Sequence, residues 1–250
     1  MTRRADIALV ERGFFASRAK AREAIEAGLV TLDGRPVAKP SEPVADDAVL
    51  TASAPYPYVS RGGVKLAAAL DAFALDPSGK QALDIGASTG GFSDVLLTRG
   101  AAHVTCVDVG HSQLHPRIAQ DFRVTSFEKR DARALSAEDL PAPPQIIVCD
   151  VSFISLEKIL PPVLALAAPR AEAVLLIKPQ FEVGPEHVKK GLVRDEVAQK
   201  SACGRIEALV EKLGWRVIGL IPSPVAGGDG NREFLLGAHR HSVFEPDGDH

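Results

Sequence analysis

Apolar positions recur at helical spacing near the start of the chain and at strand spacing further on. Within residues 4–28, Ile7, Leu9, Val10 and Phe14 form one short helical pattern and Ala21, Ala24 and Ile25 a second. Gly13 predicts the stop between them and Ser17 an N-cap for the second. In residues 28–44, Leu29, Thr31 and Asp33 alternate with Val30 and Leu32. The run then turns at Asp33-Gly34, a dipeptide suited to a tight hairpin. Residues 51–60 (TASAPYPYVS) are small, proline-bearing and aperiodic, and read as a linker.

From about residue 80 the pattern alternates between strands and helices. Strand candidates are QALDIG, HVTCVDVG, FRVTSF, QIIVCDVSF, AEAVLLIK, WRVIGLIPS and EFLLGAHR. Helical stretches GFSDVLLTRG, LEKILPPVLALA and EVAQKSACGRIEALVEKLG fall between several of them. This is an α/β pattern, and it predicts a mainly parallel sheet covered on both faces. Only the turn-rich PSPVAGGDGNR separates the last two strands, so the final one is expected to run antiparallel. Residues 241–250 carry no periodicity and are expected to fray.

The 250 residues, 46% hydrophobic and 24% charged, suit a medium domain plus a small one. A formal net charge of -3 gives no global pull toward nucleic acid, so such a partner needs a local basic face. Arg3, Arg4, Arg12, Arg18, Lys20 and Arg22 outnumber Asp6 and Glu11 over the first two helical patterns, although acids balance bases over the first fifty residues. Cys106, Cys149 and Cys203 are widely spaced with no C-x-x-C pair, which argues against a disulfide framework or a metal site and for a reducing compartment. Charges interrupt the N-terminal apolar run, and no apolar stretch approaches the ~20 residues of a membrane span, so the expectation is a cytoplasmic protein without a membrane partner.

Residues 82–93 (ALDIGASTGGFS) carry two patterns at once. Gly86-Ala87-Ser88-Thr89-Gly90 fits the elbow of a serine hydrolase, but no strands precede it to carry an oxyanion loop. A dinucleotide fingerprint is also a poor fit, because Ser88 occupies its middle glycine position. An acid, a turn of small residues, two glycines and a helix suit S-adenosylmethionine, a cation without a pyrophosphate. On this reading Asp84 receives its ammonium directly or through water, and Gly86, Gly90 and Gly91 let backbone approach it. Ala87, Ser88, Thr89 and Phe92 complete the loop. Asp108, at the end of the next strand, is placed for the ribose hydroxyls, and Asp131 for the adenine amino group. Asp131 equally fits a helix cap.

The fourth strand of this series ends in Asp150-Val151-Ser152-Phe153, which lacks the prolines of a base-methylating motif, and the fifth ends in Lys178-Pro179-Gln180-Phe181. Lys65 in SRGGVKL, Asp150, Lys178 and Glu233 in GNREFLL fall in the order of the Lys-Asp-Lys-Glu tetrad of FtsJ-like ribose 2′-O-methyltransferases. The blocks SRGGVKL, LDIGASTGGFSDVLL, CDVSFISL, IKPQFEVG and GNREFLL are similar to those of the TlyA family, also called hemolysin A. RADIALVERG, SRAKAREAIEAGLVTLDG and VAKPSEPV resemble the small RNA-binding domain first seen in ribosomal protein S-four. The resemblance implies a Rossmann-like seven-stranded methyltransferase sheet with a small N-terminal α+β RNA-binding domain. Its divisions are 1–50 for that domain, 51–64 for the linker, 65–240 for the methyltransferase domain and 241–250 for a flexible tail.

The activity implied is methyl transfer to the ribose 2′-hydroxyl of a cytidine in ribosomal RNA, 23S and in some subtypes also 16S, within ribosomal subunits. Lys178 is then expected to contact the 2′-oxygen, as a neutral base or as a cation that stabilises a developing alkoxide. Lys65, Asp150 and Glu233 would hold the geometry. Arg4, Arg18, Lys20, Arg22 and Arg61 are the candidate phosphate contacts. Two alternatives stand beside this reading. One is a membrane-lysing hemolysin, which needs an amphipathic or spanning element that does not stand out; the other is a non-catalytic RNA-binding assembly factor.

Overall fold

Both short helices expected near the start are present in the computed structural model, which describes residues 2–15, 17–227 and 230–240. After strand β1 (Thr2–Arg4), α1 spans Ala5–Glu11 and α2 spans Arg18–Glu26. Gly13 takes φ 77° beyond α1, and the Ser17 hydroxyl accepts the Lys20 amide at the start of α2. The hairpin falls where Asp33-Gly34 placed it. Strand β2 (Val30–Leu32) pairs with β3 (Arg35–Pro36) across residues at φ 50° and 79°. Strand β4 (Pro43–Ala45) pairs with β1, and β5 (Leu50–Ala52) with β2. Ala8, Leu9, Ala24, Ile25, Val30, Leu32 and Val44 make the core of this first unit, which ends at Pro57.

Asp6 is fully buried in that unit, and three arginines converge on its carboxylate. Arg4 Nε lies 2.9 Å from one oxygen, and Arg18 Nη2 at 2.9 Å and Arg22 Nε at 3.6 Å approach the other. The hydrogen bond from Arg4, helped by Arg18 and opposed by burial, holds the Asp6 carboxyl down at about 2. One anion therefore gathers three cations whose outer faces remain about half exposed.

The second unit begins at Tyr58. Its elements are α3 (Gly62–Ala72), β6 (Gln81–Ile85), α4 (Gly91–Thr98), β7 (His103–Val107), α5 (Pro116–Ala119), β8 (Val124–Phe127), β9 (Ile146–Cys149), α6 (Leu156–Ala165), β10 (Ala171–Ile177), α7 (Pro179–Glu182), α8 (Glu196–Lys212), β11 (Arg216–Pro222) and β12 (Phe234–Arg240). The seven strands lie in the order β11-β12-β10-β9-β6-β7-β8, with only β12 antiparallel to its neighbours. Every expected strand is present, and the last reverses direction as its short connection required. Alternate residues of single strands feed the two faces. Ile146 and Val148 pack with Leu66, Leu70 and Leu96 on one side, while Ile147 and Cys149 pack with Leu160, Val163 and Ile206 on the other.

The stretch 51–64, read as linker, takes part in both units. Its first two residues complete β5, and α3 opens at Gly62, so Lys65 sits within a helix. That helix escaped the pattern because two glycines open it, although Leu66, Ala69 and Leu70 are buried at helical spacing. The tail 241–250, expected to fray, lies outside the described residues. Among the described residues no helix is long and apolar enough to cross a membrane.

Because Asp6 ionises more readily in the folded unit than in the unfolded chain, its stabilisation is present above about pH 4 and is lost as pH falls toward about 2. Asp6→Asn is expected to cost about 1–3 kcal/mol at pH 6. In urea titrations of the full chain, the gap from the parent protein should close as the pH approaches 2.

Candidate active site

The sheet order brings the sequence candidates to one edge. Asp108, Asp150 and Lys178 each stand one residue past the end of β7, β9 and β10. Glu233 directly precedes β12, and the antiparallel pairing of Phe234 with Ile177 brings that start to the same carboxyl edge. The chain runs from β6 outward through β7 and β8, then returns to β9 on the other flank, so a crevice opens above β6 and β9.

Lys65, Asp150, Lys178 and Glu233 all line one cavity of about 500 Å³. They form two ion pairs. Lys65, 6% exposed, donates to the Glu233 carboxylate, 3% exposed. Lys178 Nζ lies 2.5 Å from Asp150 Oδ1 and donates to Ser152 Oγ at 2.9 Å. A further contact holds the second pair: Glu182, the last residue of α7, accepts from Ser155 Oγ at 2.6 Å and from the Leu156 amide at 2.9 Å. Burial pushes the Glu182 carboxyl upward, against those two donors. The loop bearing Asp150 is thereby tied to the segment bearing Lys178.

At the cavity wall the Phe153 and Phe181 rings meet at 5.1 Å between centroids. Phe153 is 90% exposed and has φ 65°, a strained backbone for an aromatic residue. Such strain and exposure at a cavity suit a ligand contact better than a packing role. Ser152, Phe153, Phe181 and Glu182 were not singled out as site residues in the sequence. The run of polar and aromatic residues after two buried strands was the available signal.

The glycine loop floors this cavity and borders a second one of about 630 Å³. Gly86 has φ 82°, and a Cβ there would come within 2.2 Å of the Asp150 carbonyl oxygen. Gly86, Ala87, Ser88, Thr89, Gly91 and Phe92 line the first cavity. Gly90 does not line either cavity; it opens α4 at φ 91°, where a Cβ would press on Leu114. Asp108 lines the second cavity, its oxygens fixed by the Ser88 amide at 2.8 Å and the Gly110 amide at 2.7 Å. Asp131 lines it too and caps the 3-10 turn Ala132–Ala134, the second of its two sequence readings. The Arg133 guanidinium holds its carboxyl at about 2.

Asp84 departs from its expected placement. It is the penultimate residue of β6, fully buried, and lines neither cavity. Its carboxylate accepts from Ser93 Oγ at 2.6 Å, under the first turn of α4. Burial raises its carboxyl to about 7, with Asp150 and Asp108 adding to the rise and Ser93 opposing it. Residues within a strand covered on both faces point into the core, whereas Asp108, one residue beyond its strand, reaches the crevice. Arg61 lines the first cavity, and Arg4, Arg18 and Arg22 belong to the Asp6 cluster; Lys20 lies in the first turn of α2 beside Arg18.

Comparison with known proteins assigns these parts to families. Residues 58–240 match the FtsJ-like methyltransferase model, and residues 3–50 match the S4 domain. The chain belongs to the FtsJ-like methyltransferase family. It is 43% identical over 241 residues to the Mycobacterium tuberculosis protein named 16S/23S rRNA (cytidine-2'-O)-methyltransferase TlyA, covering 94% of this chain and 90% of that one. A Bacillus subtilis relative, YqxC, described as a candidate rRNA methyltransferase, is 44% identical, covering 94% of this chain and 85% of its own. A solved structure of a Streptococcus thermophilus protein, described as a candidate hemolysin, superposes with a TM-score of 0.77 at 38% identity, over 99% of this chain and 91% of that one. As an FtsJ-like methyltransferase the chain is an enzyme, and its site chemistry is to be read as methyl transfer.

The buried pair yields a stability test of the methyltransferase unit. Lys65→Met alone leaves Glu233 without its counter-charge and is expected to cost about 3–5 kcal/mol. Lys65→Met with Glu233→Leu removes both charges and should recover most of that loss, as read by urea denaturation of the full chain.

Proposed function

We propose that this methyltransferase transfers the methyl group of S-adenosylmethionine to the ribose 2′-hydroxyl of a cytidine in ribosomal RNA, either 23S alone or both 23S and 16S. The observation that carries the reading is the meeting of Lys65, Asp150, Lys178 and Glu233 in one cavity that adjoins a second, mostly apolar one bordered by Asp108 and Asp131. The relatives' names support the RNA and the nucleoside.

The second cavity has the size and groups for a nucleoside. Asp108 is oriented by two backbone amides and keeps lone pairs for ribose hydroxyls; Asp131, on the same cavity, is the partner we assign to the adenine amino group. The loop from Gly86 to Phe92 borders the path to the first cavity, with the N-terminus of α4 favourable to a carboxylate. Asp84 acts beneath that loop as a positioning residue through Ser93, in place of the direct ammonium contact.

S-adenosylmethionine supplies a methyl group already activated on a sulfonium. The chain's task is to align a weakly nucleophilic hydroxyl with it and to ease loss of the hydroxyl proton. Lys178, oriented by Asp150 and Ser152, contacts the 2′-oxygen and stabilises negative charge as it develops, with the proton released to water. The Lys65–Glu233 pair fixes the opposite wall. Phe153, against Phe181, offers an aromatic face for the target base. Arg4, Arg18, Lys20 and Arg22 bind phosphate in the S4 domain, and Arg61 does so at the cavity. Residues 1–50 serve as the RNA-binding domain and 65–240 as the catalytic one, working on ribosomal subunits in the cytoplasm.

The test uses radiolabelled S-adenosylmethionine with unmodified 30S and 50S subunits, offered separately. Label should enter RNA and survive as an alkali-resistant dinucleotide. Lys178→Ala should lower the rate by about 10²–10⁴-fold while cofactor affinity stays within a few fold. Label in neither subunit, with cofactor still bound, would overturn the ribosomal reading and favour a catalytically silent binder.

A further inference from the structure

Past β10 the chain makes a small hairpin at the edge of the first cavity. Lys189 and Leu192 exchange backbone hydrogen bonds of 2.9 and 3.0 Å across a two-residue turn, Lys190-Gly191, at φ 52° and 79°. Val188 and Gly191 line the cavity, while Lys189 and Lys190 are exposed. Two buried amide side chains from other elements hold the hairpin. Asn231, 3% exposed, accepts from the Val193 amide at 3.0 Å and donates to the Gly191 carbonyl at 2.8 Å. Gln199, 4% exposed, donates to the Val193 carbonyl at 2.7 Å. Asn231 lies two residues before Glu233, so the loop that delivers Glu233 also fixes the hairpin.

We infer that this hairpin is a phosphate-binding rim of the substrate cavity, which grips the RNA strand flanking the target ribose, with Asn231 as its positioning residue. The inference rests on reading the cavity as an RNA methylation site. Inside the cavity the charges cancel, Lys65 against Glu233 and Lys178 against Asp150. Those pairs leave the phosphates on either side of a bound ribose without counter-charge, and Asp150 and Glu233 repel them. Arg61 offers one cation on the wall. Of the neighbouring acids, Asp195 caps α8 through the Val197 amide at 2.8 Å, Glu196 pairs with Arg232, and Glu186 stands 3.6 Å from His187 beside a small cavity that Lys189 and Arg194 also line. Among the described residues neither hairpin lysine has an ion-pair partner. Exposed lysines on a loose loop would need no such scaffold. Here a left-handed Lys190 and two buried amides hold the lysines at one place, which is what a fixed phosphate contact requires.

The test compares the full chain with Lys189→Ala/Lys190→Asn, asparagine being chosen because it tolerates positive φ. Steady-state methylation of unmodified subunits is measured from low to high salt, and S-adenosylmethionine affinity by calorimetry. The double variant should raise KM for subunits on the order of tenfold and reduce the log–log salt slope by about 1.4, near 0.7 for each lost phosphate contact. Cofactor affinity should not change. Asn231→Ala should raise KM similarly, and adding it to the double variant should cause little further loss, because both act through one element. Parent-like KM and salt slope in the double variant overturn the inference while methylation by the parent protein still stands. Full additivity of Asn231→Ala removes its positioning role. Absence of label with the parent protein overturns the functional reading and the rim together.

Discussion

Lys65 and Glu233 place two opposite charges almost wholly out of water at the carboxyl edge of the sheet. Each ion loses several kcal/mol of hydration there, so neither is tolerable without the other. The pair joins α3, the first helix of the methyltransferase unit, to the start of β12, its last strand. It therefore needs the complete sheet order, and it binds the ends of the unit around the cavity. Replacement by apolar residues would pack as well; what such a swap lacks is a charged wall facing the second pair, Lys178 and Asp150.

Close approach of backbone sets the floor of that site. Gly86 lies so near the Asp150 carbonyl that no side chain fits, and this brings the loop after β6 against the loop after β9. The two cavities share Gly86, Ser88, Asp150, Ser152 and Phe153 as a consequence. Glu182 then ties the Asp150 loop to the Lys178 segment with two hydrogen bonds. The arrangement uses carboxylates in three ways: buried beneath the loop (Asp84), turned outward to the crevice (Asp108), and paired with a cation (Asp150).

The first unit uses the opposite electrostatic device. A single buried carboxylate, Asp6, gathers Arg4, Arg18 and Arg22 into a local excess of positive charge, although acids and bases balance over that whole stretch. Net charge thus hides this local excess, because what matters for the surface field is which charges share a face. In the methyltransferase unit the two ion pairs of the cavity balance each other, and Arg61 adds one cation on its wall.

Strand and helix periodicity determined, from the sequence alone, all seven strands of the large sheet, the reversed last strand, the hairpin at Asp33-Gly34 and the cap at Ser17. These are local matters of alternation, turn chemistry and short connections, which each segment carries within itself. The residues Lys65, Asp150, Lys178 and Glu233 were also legible, through order and motif. Which lysine faces which carboxylate was not, since 168 positions separate Lys65 from Glu233 and only sheet order brings them together. Asp84 and Asp108 looked alike as acids near strand ends; Asp84 lies level with Cys106, two residues short of Asp108, and that offset put the first into the core and the second into the crevice. The helix around Lys65 was hidden by its opening glycines and is stabilised by Leu66, Ala69 and Leu70 packing on strands far along the chain. Local pattern specifies elements, while burial, pairing of charges and the walls of a cavity depend on contacts between distant segments, and those only the tertiary structure decided.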